Sequence, residues 1–194
     1  TFTKIVDSWY NYKNIEKVKK ENIPGCYSLI NNELYKTQEF SSRIEDLDII
    51  PSPYLKGYLD RFLKNPRLSP LIESNRGCPF TCSFCVDGSD SVQRVNQFGF
   101  DRVTLELDYI AKHVPKNIHS LHISDLNFGM YPRDLKICDS IVEIQKNYNY
   151  PHRILSTTGK NKKEQIIKAI EKLNGTMSLY MSVQSMDEQI LKNI

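Results

Sequence analysis

The chain has 194 residues, 40% hydrophobic and 25% charged, with 26 Lys and Arg against 23 Asp and Glu and a formal net charge of +3. So small an excess gives no charge-based case for nucleic-acid or membrane-surface binding. No apolar run approaches the roughly 18–20 residues of a membrane-spanning helix, and Thr1 to Val6 shows no signal-peptide pattern.

From the N-terminus to residue 67 the pattern is irregular. Asn14 to Lys20 is polar and reads as a short helix. Cys26 to Ile30 and Glu33 to Thr37 read as two short strands. Asn31-Asn32 between them suits a two-residue hairpin turn, because Asn tolerates positive φ. Ile49-Ile50-Pro51-Ser52-Pro53 reads as an extended linker, since each proline biases the residue before it away from helix. Leu55 to Leu63 is expected to form a helix that stops near Pro66.

From Leu68 onward, strand and helix patterns alternate. Strands are expected at Leu71 to Ser74, Ile118 to Ile123, Arg153 to Ser156 and Thr176 to Val183. Helices are expected at Val103 to His113, Arg133 to Lys146 and Lys162 to Leu173. In the last of these, Ile166, Ile167, Ala169, Ile170 and Leu173 recur at helical spacing. Such alternation predicts parallel βαβ units, closed into a barrel or opened into a doubly wound sheet. In either architecture, functional groups gather at the C-terminal strand ends. The expected division is a linker and hairpin region over 1–67 and an α/β domain over 68–194. Met186 to Ile194 reads as the opening turns of a helix without a C-cap, so a longer protein is expected.

Five cysteines are present: Cys26, Cys78, Cys82, Cys85 and Cys138. An odd count with three clustered does not suit a secreted disulfide framework, so a reducing, cytoplasmic setting is expected. Cys78, Cys82 and Cys85 follow the first strand of the alternating series with the spacing C-x3-C-x2-C. Thiolates are soft ligands that suit iron–sulfur clusters or zinc. Structural zinc usually takes a fourth ligand at matching spacing. Cys26 and Cys138 are isolated, and His113, His119, His122 and His152 are scattered without an assigned role. A zinc-stabilised binding module and an electron-transfer iron–sulfur protein are the competing readings.

The segment Gly77-Cys78-Pro79-Phe80-Thr81-Cys82-Ser83-Phe84-Cys85 resembles the cluster loop of the radical S-adenosylmethionine (SAM) superfamily, C-x3-C-x-aromatic-C. The resemblance implies a partial TIM-like (β/α)6 barrel, of which the chain holds the first four βα units. It implies that Cys78, Cys82 and Cys85 bind a [4Fe–4S] cluster whose fourth iron chelates SAM. One electron would then cleave the sulfonium to a 5′-deoxyadenosyl radical. Leu47 to Tyr54, followed by Glu73 to Cys85, is similar to the join between a cobalamin-binding domain and a radical SAM domain. This narrower likeness covers roughly residues 45–194 and implies cobalamin as a further cofactor, with methyl transfer or a rearrangement as the reaction. A reductant such as flavodoxin or ferredoxin and an unidentified substrate are the implied partners. A barrel lacking its later strands is expected to be catalytically weak or inactive alone.

Candidate SAM contacts follow from the same resemblance. Phe84 is the aromatic residue of the motif. Asp125-Leu126-Asn127-Phe128 stands where many members carry a Gly-Gly-Glu-like segment, so Asp125 or Asn127 is expected to accept from the SAM ammonium. An Asx-turn or helix cap is the plainer role for both. Gln184 and Ser185 are candidates for the SAM ribose or carboxylate, with an ordinary strand end and an N-cap at Ser185 as the alternative. Gly159-Lys160 lacks the rest of a phosphate-binding loop. Arg76 is expected to offset cluster charge or to pair with Glu73. Cys26 and Cys138 are read as small core residues, and Trp9 and its neighbouring tyrosines as packing.

Overall fold

The computed structural model describes residues 2–37, 43–89, 93–159, 161–180 and 183–192. The chain divides into two units, 1–44 and 45–194.

The first unit holds helices α1 (Phe2–Tyr12) and α2 (Ile15–Lys19) and strands β1 (Tyr27–Ile30) and β2 (Glu33–Lys36). Helix α1 lies outside the elements expected from the sequence. It is tied down by Ser8, a buried residue whose hydroxyl donates to Glu21. Asn14 caps α2 by accepting from the Lys17 amide at 3.1 Å. Strands β1 and β2 pair antiparallel from Tyr27↔Lys36 to Ile30↔Glu33. Asn31 and Asn32 have φ of 50° and 64°, the pair of positive values that a type I′ hairpin turn requires.

The second unit runs α3 (Asp60–Leu63), β3 (Leu71–Ile72), β4 (Asn75–Arg76), β5 (Asn96–Gln97), α4 (Phe100–His113), β6 (Ser120–Phe128), α5 (Pro132–Tyr148), β7 (Arg153–Thr158), α6 (Lys163–Lys172) and α7 (Glu188–Leu191). Strands β3, β6 and β7 form a parallel sheet in that order, with Ile72 opposite Ile123 and Leu121 opposite Ile154. These four residues pack into one core with Val103, Leu107 and Ile110 of α4, Ile137 and Ile141 of α5, and Ala169 of α6. Burial of each large aliphatic side chain contributes about 1.5–3 kcal/mol, so the core binds the helices to the sheet that carries the cysteine loop.

Two expectations are corrected. The boundary falls at 44/45 rather than 67/68, because residues 45–67 pack into the second unit. Leu47, Tyr54 and Leu63 join its core. The Tyr54 hydroxyl donates to Leu71 O at 2.7 Å and accepts from Leu71 N at 3.2 Å, standing in for a neighbouring strand at the edge of β3. Asp48 accepts from Gly99 N at 3.0 Å at the start of α4, where a carboxylate also favours the helix dipole. The stretch from Leu47 to Tyr54 is therefore a strap anchored by buried Leu47 and Tyr54, and it opens with a 3-10 turn at Leu47–Ile49.

The fourth strand, expected at Thr176 to Val183, is reduced to a single parallel bridge, Met177 to Ile154. Parallel strands are stable when buried on both faces. Here Met177 is buried while Leu179 and Tyr180 are 49% and 65% exposed. Met181 and Ser182 of that run lie outside the described residues, as does Lys160.

Strand β6 runs further than expected and is bulged. From Ile123↔Ser156 to Phe128↔Thr158, five residues of β6 advance against two of β7. Bulges re-aim side chains and are common beside functional sites. Asp125 and Asn127 continue the alternation that buries Leu121 and Ile123, and the irregularity shows at Phe128, buried directly after Asn127. No helix among the described residues is long and apolar enough to cross a membrane.

Candidate cluster-binding site

The cysteine loop leaves the fold at β4 and rejoins it at β5. These two strands pair antiparallel through Asn75↔Gln97 and Arg76↔Asn96 and close the neck of the loop. Phe98 N reinforces the neck by donating to Ser74 O at 3.0 Å. Arg133, from the start of α5, donates to Ser74 O at 3.2 Å through Nη1 and to Phe98 O through Nη2. One guanidinium therefore holds both sides of the neck, a use of its fixed fork that lysine cannot copy.

Gly77 opens the loop with a φ of 120°, a conformation that only glycine adopts readily. Beyond it, Cys85 N donates to Cys82 O and Gly88 N to Cys85 O, each at 3.0 Å. Two successive tight turns thus carry the last two cysteines. A Cβ on Gly88 would lie 2.7 Å from Cys82 O and 3.0 Å from Cys82 N, so this backbone approach requires glycine.

Cys78, Cys82 and Cys85 are all half-buried and free. Among the described residues, no group of three or more His, Cys, Asp and Glu side chains is gathered to hold a metal ion. The other two thiols are elsewhere. Cys26 lies in the first unit. Cys138 is wholly buried in α5, where burial and the charges of Asp134 and Asp139 push its thiol up to about 12. A thiol that resists ionisation is a poor ligand, so the loop offers a three-thiol donor set.

Asp125 takes a role other than the expected one. Its Oδ1 accepts from Ser74 N at 2.7 Å and Asn75 N at 3.2 Å. Its Oδ2 accepts from the Ser74 hydroxyl and from Asn75 Nδ2, the latter at 2.8 Å. A carboxylate has about four acceptor positions, and all are filled, so nothing remains for a SAM ammonium. Burial raises its pKa, although the Ser74 and Asn75 hydrogen bonds pull the other way. Asp125 instead pins β6 to the entry of the cysteine loop.

Asn127, two residues on, faces the loop itself. It is 6% exposed, and its Nδ2 donates to Cys78 Sγ at 3.4 Å. Phe84 is 51% exposed beside Cys85. Arg76 pairs with Glu73 through Nε and Oε1 at 2.9 Å, a pair of which Arg76 is exposed. Gln184 is exposed. Ser185 Oγ accepts from Asp187 N at 3.0 Å, and Asp187, not Ser185, caps α7.

Sequence reasoning missed Arg133, Ser74, Asn75 and Asp134. Asp134 alone carried a local signal, since Pro132 stands at the first helical turn and an acidic residue two positions later is a helix-start pattern. Its Oδ2 accepts from Gly129 N at 2.9 Å and Tyr131 N at 3.0 Å. Among the described residues, Asp134 Oδ1, Tyr131 Oη and Ser156 Oγ are buried without a hydrogen-bond partner.

A family model described as the radical SAM superfamily matches residues 72–194. A cobalamin-dependent radical SAM methyltransferase, TokK, of Streptomyces tokunonensis is 32% identical over 162 residues, covering 79% of this chain and 23% of that protein. A 2-(S-pantetheinyl)-carbapenam-3-carboxylate methyltransferase of Streptantibioticus cattleyicolor is 30% identical over 152 residues, 74% of this chain and 22% of that protein. The chain therefore spans less than a quarter of the length of either relative.

Proposed function

Because the chain belongs to the radical SAM superfamily, a family that implies a [4Fe–4S] cluster and SAM, we propose that Cys78, Cys82 and Cys85 hold that cluster and that the whole protein is a cobalamin-dependent methyltransferase. One observation carries the cluster assignment: three half-buried thiols share a glycine-shaped loop, while Cys138 is sealed in the core. When bound, the cluster supplies the electron that opens the sulfonium of SAM.

The chain's own residues hold and shape the loop. Asp125, Ser74, Asn75 and Arg133 fix its neck against β6 and α5. Asn127 directs its amide N–H at Cys78. Its Oδ1 has no partner among the described residues and is the acceptor we assign to the SAM ammonium. Phe84 stays assigned as a SAM contact, and Gln184 and Ser185 to the ribose or carboxylate of SAM. The parallel β3–β6–β7 sheet and the Met177 bridge are read as the opening units of a (β/α)6 barrel.

Both relatives carry methyltransferase names and one is named cobalamin-dependent, which favours methyl transfer over rearrangement. A low-potential protein reductant would serve the cluster. Residues 1–194 alone are expected to be weak or inactive, with turnover belonging to the longer protein.

Anaerobic reconstitution with iron and sulfide tests the assignment. About four iron atoms per chain are expected, with loss in Cys78→Ala, Cys82→Ala and Cys85→Ala and retention in Cys26→Ala and Cys138→Ala. Stoichiometric zinc in place of iron would overturn it.

A further inference from the structure

The contact between Asn127 and Cys78 carries a consequence for electron transfer. Asn127 Nδ2 lies 3.4 Å from Cys78 Sγ, and a cluster-bound thiolate, which has no proton to donate, can only accept from it. The surroundings hold that orientation. Asn127 is 6% exposed, Phe128 beside it is wholly buried, and Asp125 two residues earlier is locked by Ser74 and Asn75. The side chain has little room to turn away.

Hydrogen bonds to cluster sulfurs are among the determinants of an iron–sulfur potential. A donor to a ligand thiolate stabilises negative charge, and the reduced cluster carries one charge more than the oxidised. The donor therefore favours reduction, more strongly where water is excluded. We infer that Asn127 is a positioning residue that raises the reduction potential of the cluster through an N–H···S bond to Cys78, separately from any contact with SAM. The inference rests on the three-cysteine cluster proposed above.

The test is an EPR-monitored redox titration of the reconstituted protein without SAM, comparing wild type with Asn127→Leu and Asn127→Asp. Both midpoints are expected to move to more negative potential. The Asp variant should move further, because it replaces a donor with a negative charge of similar shape. A second measurement needs no variant. With asparagine labelled with 15N on its side-chain amide, hyperfine spectroscopy of the reduced wild-type cluster should resolve a 15N coupling. Coincident midpoints in the three proteins, or no such coupling, would overturn the inference. Failure of the wild type to take up a cluster would instead overturn the assignment on which it rests.

Discussion

Asp125 receives both hydrogen bonds that Ser74 can donate, one from the backbone N–H and one from the hydroxyl, across 51 positions of sequence. With two more from Asn75, this carboxylate joins the bulged strand β6 to the neck of the cysteine loop. Asp125→Ala would leave three buried donors without an acceptor and Asn75 Nδ2 with only Ser74 Oγ, at 3.4 Å. A loss of about 3–5 kcal/mol is expected in urea unfolding, together with reduced iron uptake. Stability within about 0.5 kcal/mol of wild type, the range of an ordinary surface change, would show that the neck does not depend on it.

Gly88→Ala tests the loop without touching the core. The added Cβ meets the Cys82 backbone at 2.7 Å, so the turn joining Cys82 to Cys85 must open. Iron content after reconstitution should fall, while the thermal unfolding of the apoprotein should change little. Full iron loading would mean that the observed turn is not the one that binds metal.

Asp134 gives a pH signature. Burial, partly offset by the amides of Tyr131 and Gly129, raises its pKa from 3.8 to about 6. The folded state thus holds the proton more tightly than the unfolded. The stabilising contribution is complete below about pH 4 and is lost as pH rises through about 6, an effect on the order of 3 kcal/mol at most. Asp134→Asn keeps an acceptor for both amides but cannot titrate. Urea unfolding from pH 4 to 7 should therefore show a smaller decline for the variant, and parallel curves would contradict the assignment.

Cys138→Ser separates core from cluster. The residue is wholly buried within the apolar cluster of α4, α5 and the sheet. A serine hydroxyl there is expected to cost about 1–3 kcal/mol while leaving iron content unchanged. A drop in iron at unchanged stability would make Cys138 a ligand.

These contacts explain which parts of the protein could be read from its sequence. The Asn31-Asn32 turn was legible because positive φ is demanded locally and Asn supplies it. The helices around Ile110, Ile141 and Ile166 were legible because 3.6-residue periodicity is a local pattern. The cysteine spacing was legible because all three thiols lie within eight residues. The role of Asp125 was not legible, because its partners lie 50 and 51 positions away and an Asp at a strand end looks the same whether it meets a cofactor or a neighbouring backbone. The strap at 45–67 reads locally as linker because Pro51 and Pro53 dominate the pattern, whereas Tyr54 and Asp48 engage Leu71 and Gly99 from a distance in sequence. The bulge in β6 has no glycine or proline to announce it and arises from the pairing with β7.

The most direct test of the central claim is the EPR spectrum of the reduced, anaerobically reconstituted protein, recorded with and without SAM. The account predicts a four-iron signal whose g-values shift when SAM is added, because three cysteines leave one iron open to it. A four-iron signal indifferent to SAM in the full-length protein would contradict it and indicate an electron-transfer centre.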